Sequence, residues 1–141
     1  MKFTFALVAS VLALSVSAAP LESETLVARA VATNLVPAFG VKAGVNPTGT
    51  GDCEGINKVK IPCSCPPNRA AFIKSLSANV AAGHAVKNPS IKVSFPKDGS
   101  KASKIARIQT AIITLQNLNG PGQGCPAAST TFSAQLKALT G

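Results

Sequence analysis

GSKASKIARIQTAIITLQNLNG, residues 99–120, is the stretch on which the reading of the fold turns. At 3.6 residues per turn Ile105, Ile108, Ile112 and Leu115 share one face, with Ile113 and Leu118 at its edges, while Arg107, Thr110, Thr114 and Asn117 share the other. This spacing predicts an amphipathic helix with one buried apolar stripe. Asp98 or Ser100 can cap its start, because a short side-chain oxygen there accepts from a helix N–H that has no partner within the helix. Asn119 and Gly120 tolerate a left-handed backbone and Pro121 cannot continue a helix, so the three together end it.

Two more apolar stripes flank this helix. Upstream, in CSCPPNRAAFIKSLSANVAAG (residues 63–83), Pro66 and Pro67 suit a first helical turn with Ser64 or Cys65 as cap, and Phe72, Ile73, Leu76 and Val80 form the stripe. Gly83 closes it. A linker containing Pro89 then leads to IKVSF, residues 91–95, whose alternation suits a short strand. One strand without a partner is better read as an extended segment lying on the helices. Downstream, the turn NGPGQGCP leads into a helix over about residues 129–139, with Ala128, Phe132, Leu136 and Leu139 on one face. Three apolar stripes have only one another to bury against. The expected fold class is therefore mainly α: a compact, disulfide-stapled bundle of three to four helices with a long irregular N-terminal coil. GVKAGVNPTGTGDCEG, residues 40–55, reads as that coil, and residues 59–61 as a short extended run into Pro62.

Residues 1–18, MKFTFALVASVLALSVSA, read as a secretory signal peptide: a lysine, an apolar run, then small residues. Residues 19–37 form an N-terminal arm, either a short helix over residues 22–35 striped by Leu26, Val27, Val31 and Leu35, or a flexible or removed segment. Residues 38–141 are expected to form a single disulfide-stapled helical domain. No other apolar run is long enough to span a bilayer. Four cysteines in a secreted chain imply two disulfides. A bridge between Cys63 and Cys65 is strained by their single intervening residue, so Cys53 and Cys125 each take one of that pair. Cys53 with Cys63 and Cys65 with Cys125 is the favoured arrangement, and its swap stays open.

The sequence has 14 Lys and Arg against 5 Asp and Glu, and removal of Lys2 with the signal leaves a balance of +8. Such a chain adheres to anionic surfaces, whether acidic polysaccharide, phospholipid or nucleic acid. Tyr and Trp are absent, which argues against stacking on sugars or bases and so against a specific nucleic-acid reader. Phe39, Phe72, Phe95 and Phe132 are spread as core residues are. Both Asn-x-Ser/Thr matches, at Asn46 and Asn88, carry a forbidding proline, so no N-glycan is expected.

Among chemistry-bearing residues, His84 is the only histidine and follows Gly83, where an imidazole can bond helix-end carbonyls. One histidine and four oxidised cysteines are too few for a metal site. Asp52, Glu54 and Asp98 are the only carboxylates beyond the arm, and Asp52 and Glu54 flank a disulfide cysteine, as turn formers do, so no catalytic pair is assigned. Lys97, Lys101, Lys104 and Arg107 break a rule instead. Cations in the first turns of a helix oppose its dipole, and together with free helix amides they would make an anion-binding site for sulfate, phosphate or a lipid headgroup.

The runs NPTGTGDCEG, VKIPCSCPPNRAAFI, SANVAAGHAV, VSFPKDGSKASKIARI and TLQNLNGPGQGCPAAST, spanning about residues 35–132, resemble a group of small secreted four-cysteine proteins of mushroom-forming and other filamentous fungi. The CSCPP and LQNLNGPGxGCP blocks carry the likeness. The group has no assigned activity and no defined catalytic residues. The resemblance implies a fungal extracellular protein acting at the cell wall, in development, or at a host interface, and the pattern differs from hydrophobins, which have eight cysteines. The expected function is thus non-enzymatic and needs no cofactor: a secreted monomer that binds anionic wall or membrane components, or a host or developmental protein partner. The alternatives are a cationic antimicrobial or antifungal protein and, behind it, a small wall-directed hydrolase.

Overall fold

The computed structural model describes residues 31–141. The expected signal peptide at residues 1–18 and residues 19–30 of the expected arm lie outside the described residues. Three α-helices carry the core: α1 (Arg69–Ala82), α2 (Lys101–Gln116) and α3 (Phe132–Thr140). Four short strands make two separate two-stranded antiparallel sheets, β1 (Asp52–Glu54) with β2 (Lys60–Pro62) and β3 (His84–Ala85) with β4 (Asn88–Lys92).

The expected mainly α bundle is therefore corrected. The described chain is 43% helical and 12% strand, with three helices and two β-ribbons. The ribbons form where the sequence reads as coil and linker. In the first, Asp52 faces Pro62, Cys53 faces Ile61 and Glu54 faces Lys60, and the turn between them runs through Asn57 and Lys58 at φ 54° and 63°. In the second, Gly83 at φ 80° stops α1 and donates its N–H to the carbonyls of Asn79 and Val80. The chain then doubles back, so residues 84–85 supply the partner that residues 88–92 seemed to lack. Pro89 is tolerated because each strand of a two-stranded ribbon has a free edge. The expected strand at residues 91–95 is displaced accordingly: pairing ends at Lys92, and beyond it Phe95 is buried in the core.

Gly83 ends α1 as expected and Ser100 starts α2 as expected, while the other helix ends are closed by different residues. Ser100 caps α2 as expected, its Oγ accepting from Ser103 N–H at 3.2 Å. α1 is not capped by Ser64 or Cys65. Pro66 and Pro67 lie ahead of it, and the Asn68 side chain accepts from Ala71 N–H at 3.1 Å. α2 stops at Gln116, three residues short of Asn119, and Asn117 folds its Nδ2–H back onto the Ile113 carbonyl at 2.7 Å. Of the expected arm helix, the described end is a 3₁₀ turn at Thr33–Leu35, preceded by an extended Ala32.

The core is centred on Phe39, Phe72 and Phe132, whose ring centroids lie 5.1–6.0 Å apart, with Leu76, Ala111 and Leu115 sealed around them. Edge-to-face and tilted contacts of this kind suit the ring quadrupoles. The disulfides join Cys53 to Cys63 and Cys65 to Cys125, the favoured pairing, so one closes the first ribbon and the other ties the approach to α1 to the exit of α2. At that exit Cys125 N–H reaches the Leu115 carbonyl at 2.9 Å. Gly124 is required there, because a Cβ would overlap the Leu115 carbonyl oxygen.

The largest departure concerns the second face of α2. Arg107, Thr110, Thr114 and Asn117, expected toward solvent, are 7%, 3%, 1% and 6% exposed. Ile105, Ile112 and Ile113, expected inside, are only half-buried. The second ribbon, residues 93–98 and Asn79 of α1 lie along the polar face, and each polar side chain answers a group they present. Thr110 Oγ1 donates to the Ser94 carbonyl, Thr114 Oγ1 accepts from Asn79 Nδ2–H at 2.9 Å, and Asn117 Oδ1 accepts from Asn88 Nδ2–H at 3.1 Å and Gly122 N–H at 2.8 Å. Buried polar groups are tolerable only when bonded in this way.

Candidate functional site

The two described arginines and the lysines divide the work. Arg69 donates Nη1–H to the Pro37 carbonyl and Nη2–H to the Val36 carbonyl, both at 3.0 Å, and its guanidinium lies 5.7 Å from the centre of the Phe39 ring. It pins the N-terminal segment to α1. Arg107 donates Nη1–H to the carbonyls of Pro96 at 2.7 Å and Asp98 at 2.9 Å, fixing the loop ahead of α2. At Arg69 two nitrogens of one planar guanidinium take two successive carbonyls, a fork that an ammonium lacks. All ten lysines of residues 31–141 are exposed, and among the described residues none forms an ion pair with a carboxylate.

At the start of α2 the protein supplies its own anion. Asp98 Oδ1 accepts from Ser100 N–H at 2.8 Å and Oδ2 from Ser103 Oγ–H at 2.7 Å. Hydrogen bonding from Ser100 first, then from Ser103, holds the Asp98 carboxyl down at about 2. A carboxylate here favours the helix dipole and offsets the lysines of the first turns. The four cations singled out in the sequence are thus not placed alike. Lys97 and Lys101 lie in the solvent around this capped turn. Lys104 and Arg107 come together one turn on, lining a groove of about 400 Å³ whose other walls are largely apolar: Leu35 and Pro37, Ile108 of α2, and Ala138 and Leu139 of α3.

The remaining candidates are scattered. His84 sits half-buried in β3 with Nδ1 3.3 Å from its neighbour's carbonyl at Ala85. The expected contact with the carbonyls ending α1 is not made, since Gly83 N–H takes those of Asn79 and Val80. Asp52 and Glu54 lie on β1 either side of the buried Cys53, and Glu54 accepts from Asn46 Nδ2–H at 3.2 Å. Among the described residues no group of three or more His, Cys, Asp or Glu side chains could hold a metal ion. No described helix is long and apolar enough to cross a membrane.

Sequence reading missed the groove because its walls come from residues 34–37, 104–108 and 135–139. Only the position of Leu35 on the arm's weak apolar stripe hinted at one wall. The two disulfides are consistent with an extracellular protein. No protein-family model matches the chain, and neither curated proteins nor solved structures give a match.

Proposed function

We propose that the protein is a secreted, non-enzymatic binding protein of the fungal small-secreted-protein kind, adhering through its lysines to anionic components of a cell wall or another extracellular interface in an effector-like or developmental role. The observation that carries this reading is the division of cations: both described arginines are engaged with backbone carbonyls, while ten lysines stand exposed over a domain with three carboxylates of its own. That leaves a net +9 on residues 31–141, displayed almost wholly by flexible ammonium groups. Lysines of this kind suit repeated weak contact with polyanions rather than recognition of one geometry.

The test is retention of the mature protein on wall fragments and on anionic and neutral vesicles at low and at physiological salt. Selective retention by wall fragments at physiological salt, reduced by Lys97→Gln, Lys101→Gln and Lys104→Gln together more than by Lys58→Gln, Lys60→Gln and Lys74→Gln, is the expected result. Retention that is equal on every anionic surface and vanishes at the higher salt, where the screening length is about 8 Å, would overturn it. Vesicle leakage or growth arrest at micromolar protein would favour a cationic antimicrobial role instead.

A further inference from the structure

The groove between the Thr33–Leu35 turn, α2 and α3 combines two features that surface lysines alone do not. Its walls are largely apolar, from Leu35, Pro37, Ile108 and Leu139, with Asn34 and Gln135 beside them, and Arg107 in its lining is 93% buried. Arg107 uses only Nη1 on the loop carbonyls. Among the described residues its Nε and Nη2 have no hydrogen-bond partner. Arg107 thus lines the groove with a deeply held charge of which only Nη1 is bonded to the loop carbonyls. The Nε–Nη2 edge is a two-donor fork that matches the two oxygens of a planar carboxylate. Lys104 on the same rim supplies a second positive charge. A volume of about 400 Å³ lies within the roughly 300–1,000 Å³ of small-molecule sites.

We infer that this groove binds a single-chain amphiphile with a carboxylate head, the anion of a medium- or long-chain fatty acid. The head pairs with the free edge of Arg107 and with Lys104, and the alkyl chain lies along Leu35, Ile108 and Leu139. The groove shares Lys104 with the lysine-covered surface, but Ala138→Glu acts on the groove alone and Lys97→Gln with Lys101→Gln on the surface alone, so either reading can fail without the other.

The experiment is calorimetric titration of the mature, disulfide-intact protein with sodium dodecanoate below its micelle concentration at physiological salt. Dodecyl phosphate, dodecyltrimethylammonium and acetate serve as comparison probes. Expected is saturable binding of one dodecanoate per chain, with no measurable binding of acetate. Lys104→Gln weakens it about tenfold or more, as loss of one charge beside a desolvated anion should. Ala138→Glu, which places a like charge at the groove, abolishes it, and Lys74→Gln, away from the groove, leaves it unchanged. Arg107→Gln also unpins the Pro96–Asp98 loop, so the deciding variants are those at Lys104 and Ala138, whose folding is checked by their thermal transitions. Non-saturating uptake, equal affinity for dodecyltrimethylammonium, or indifference to Lys104→Gln and Ala138→Glu would overturn the inference. Tighter binding of dodecyl phosphate than of dodecanoate would overturn the carboxylate assignment.

Discussion

Replacing Asn79 by Ala tests whether the polar face of α2 is truly part of the interior. Asn79 is 6% exposed on α1 and joins three elements, donating Nδ2–H to Thr114 Oγ1 on α2 at 2.9 Å and accepting Val86 N–H from the turn of the second ribbon at 2.8 Å. Truncation removes both bonds, each contributing about 1 kcal/mol net, and strands the Thr114 hydroxyl in a site where an unpartnered group costs about 1–3 kcal/mol. The expected loss is about 3 kcal/mol. With a urea m-value of about 2 kcal/mol/M, that lowers the unfolding midpoint by roughly 1.5 M. Thr114→Val should cost about 1–2 kcal/mol, because it leaves Asn79 Nδ2 without its acceptor. The double variant should be more stable than the sum of the singles predicts by about 1 kcal/mol, the coupling of a shared bond. Urea unfolding of the four proteins with disulfides kept oxidised measures all of this. An Asn79→Ala midpoint indistinguishable from the parent, or strict additivity, would mean that the face is solvated and would refute its burial.

Other outcomes follow from the same geometry. The folded Asp98 carboxyl, at about 2, lies below its ordinary value of 3.8, so the folded state binds fewer protons there than the unfolded state. Its contribution to stability is complete above about pH 4 and is lost as pH falls toward 2; Asp98→Asn should flatten that part of the stability profile, and a carboxyl titration near 3.8 would refute the assignment. Replacing Cys65 and Cys125 by Ala should cost about 4 kcal/mol, against about 3 kcal/mol for Cys53 and Cys63, from their separations of 60 and 10 residues, and a reversed order of unfolding midpoints would contradict the loop-entropy account. Ser129 is fully buried with an unpartnered Oγ, so Ser129→Ala should be neutral or stabilising by up to about 1 kcal/mol, and a clear drop in unfolding midpoint would reveal a hydrogen bond to that hydroxyl.

Helix positions were legible because helices of 9–16 residues repeat their signal several times. Gly83 as the stop of α1, Ser100 as the cap of α2 and Phe132, with Leu136 and Leu139, as the inner face of α3 all follow from spacing. Covalent geometry excluded a Cys63–Cys65 bridge, and of the two pairings left open the structure has the favoured one. The ribbons did not announce themselves, because strands of two to five residues contain too few positions for a period of two to stand out from chance. Their pairing is set by what surrounds them: a disulfide across the first and the end of α1 before the second. The prolines before α1 misled in a related way. Pro at a first helical position and Pro just ahead of a cap look alike until Asn68 is seen bonded to Ala71.

The burial of the polar side of α2 explains why the candidate site changed shape between sequence and structure. Helical periodicity sorts residues by polarity and assumes that polar means outward, an assumption that fails when the neighbour is a ribbon with carbonyls and amides of its own to satisfy. Thr110 could go inside because it met the Ser94 backbone, Thr114 because it met Asn79 of α1 and Asn117 because it met Asn88 of the ribbon, and Arg107 followed because the Pro96 and Asp98 carbonyls accept from one of its nitrogens. In the sequence, Lys97, Lys101, Lys104 and Arg107 recur at about one helical turn and look like a single row of charges. In the fold, Arg107 is drawn in while the lysines remain out, because a weakly hydrated guanidinium can bond the loop carbonyls whereas an ammonium stays hydrated. That one difference turns a uniform row into two environments: exposed lysines around Asp98, and a buried guanidinium beside the apolar side chains of α2 and α3.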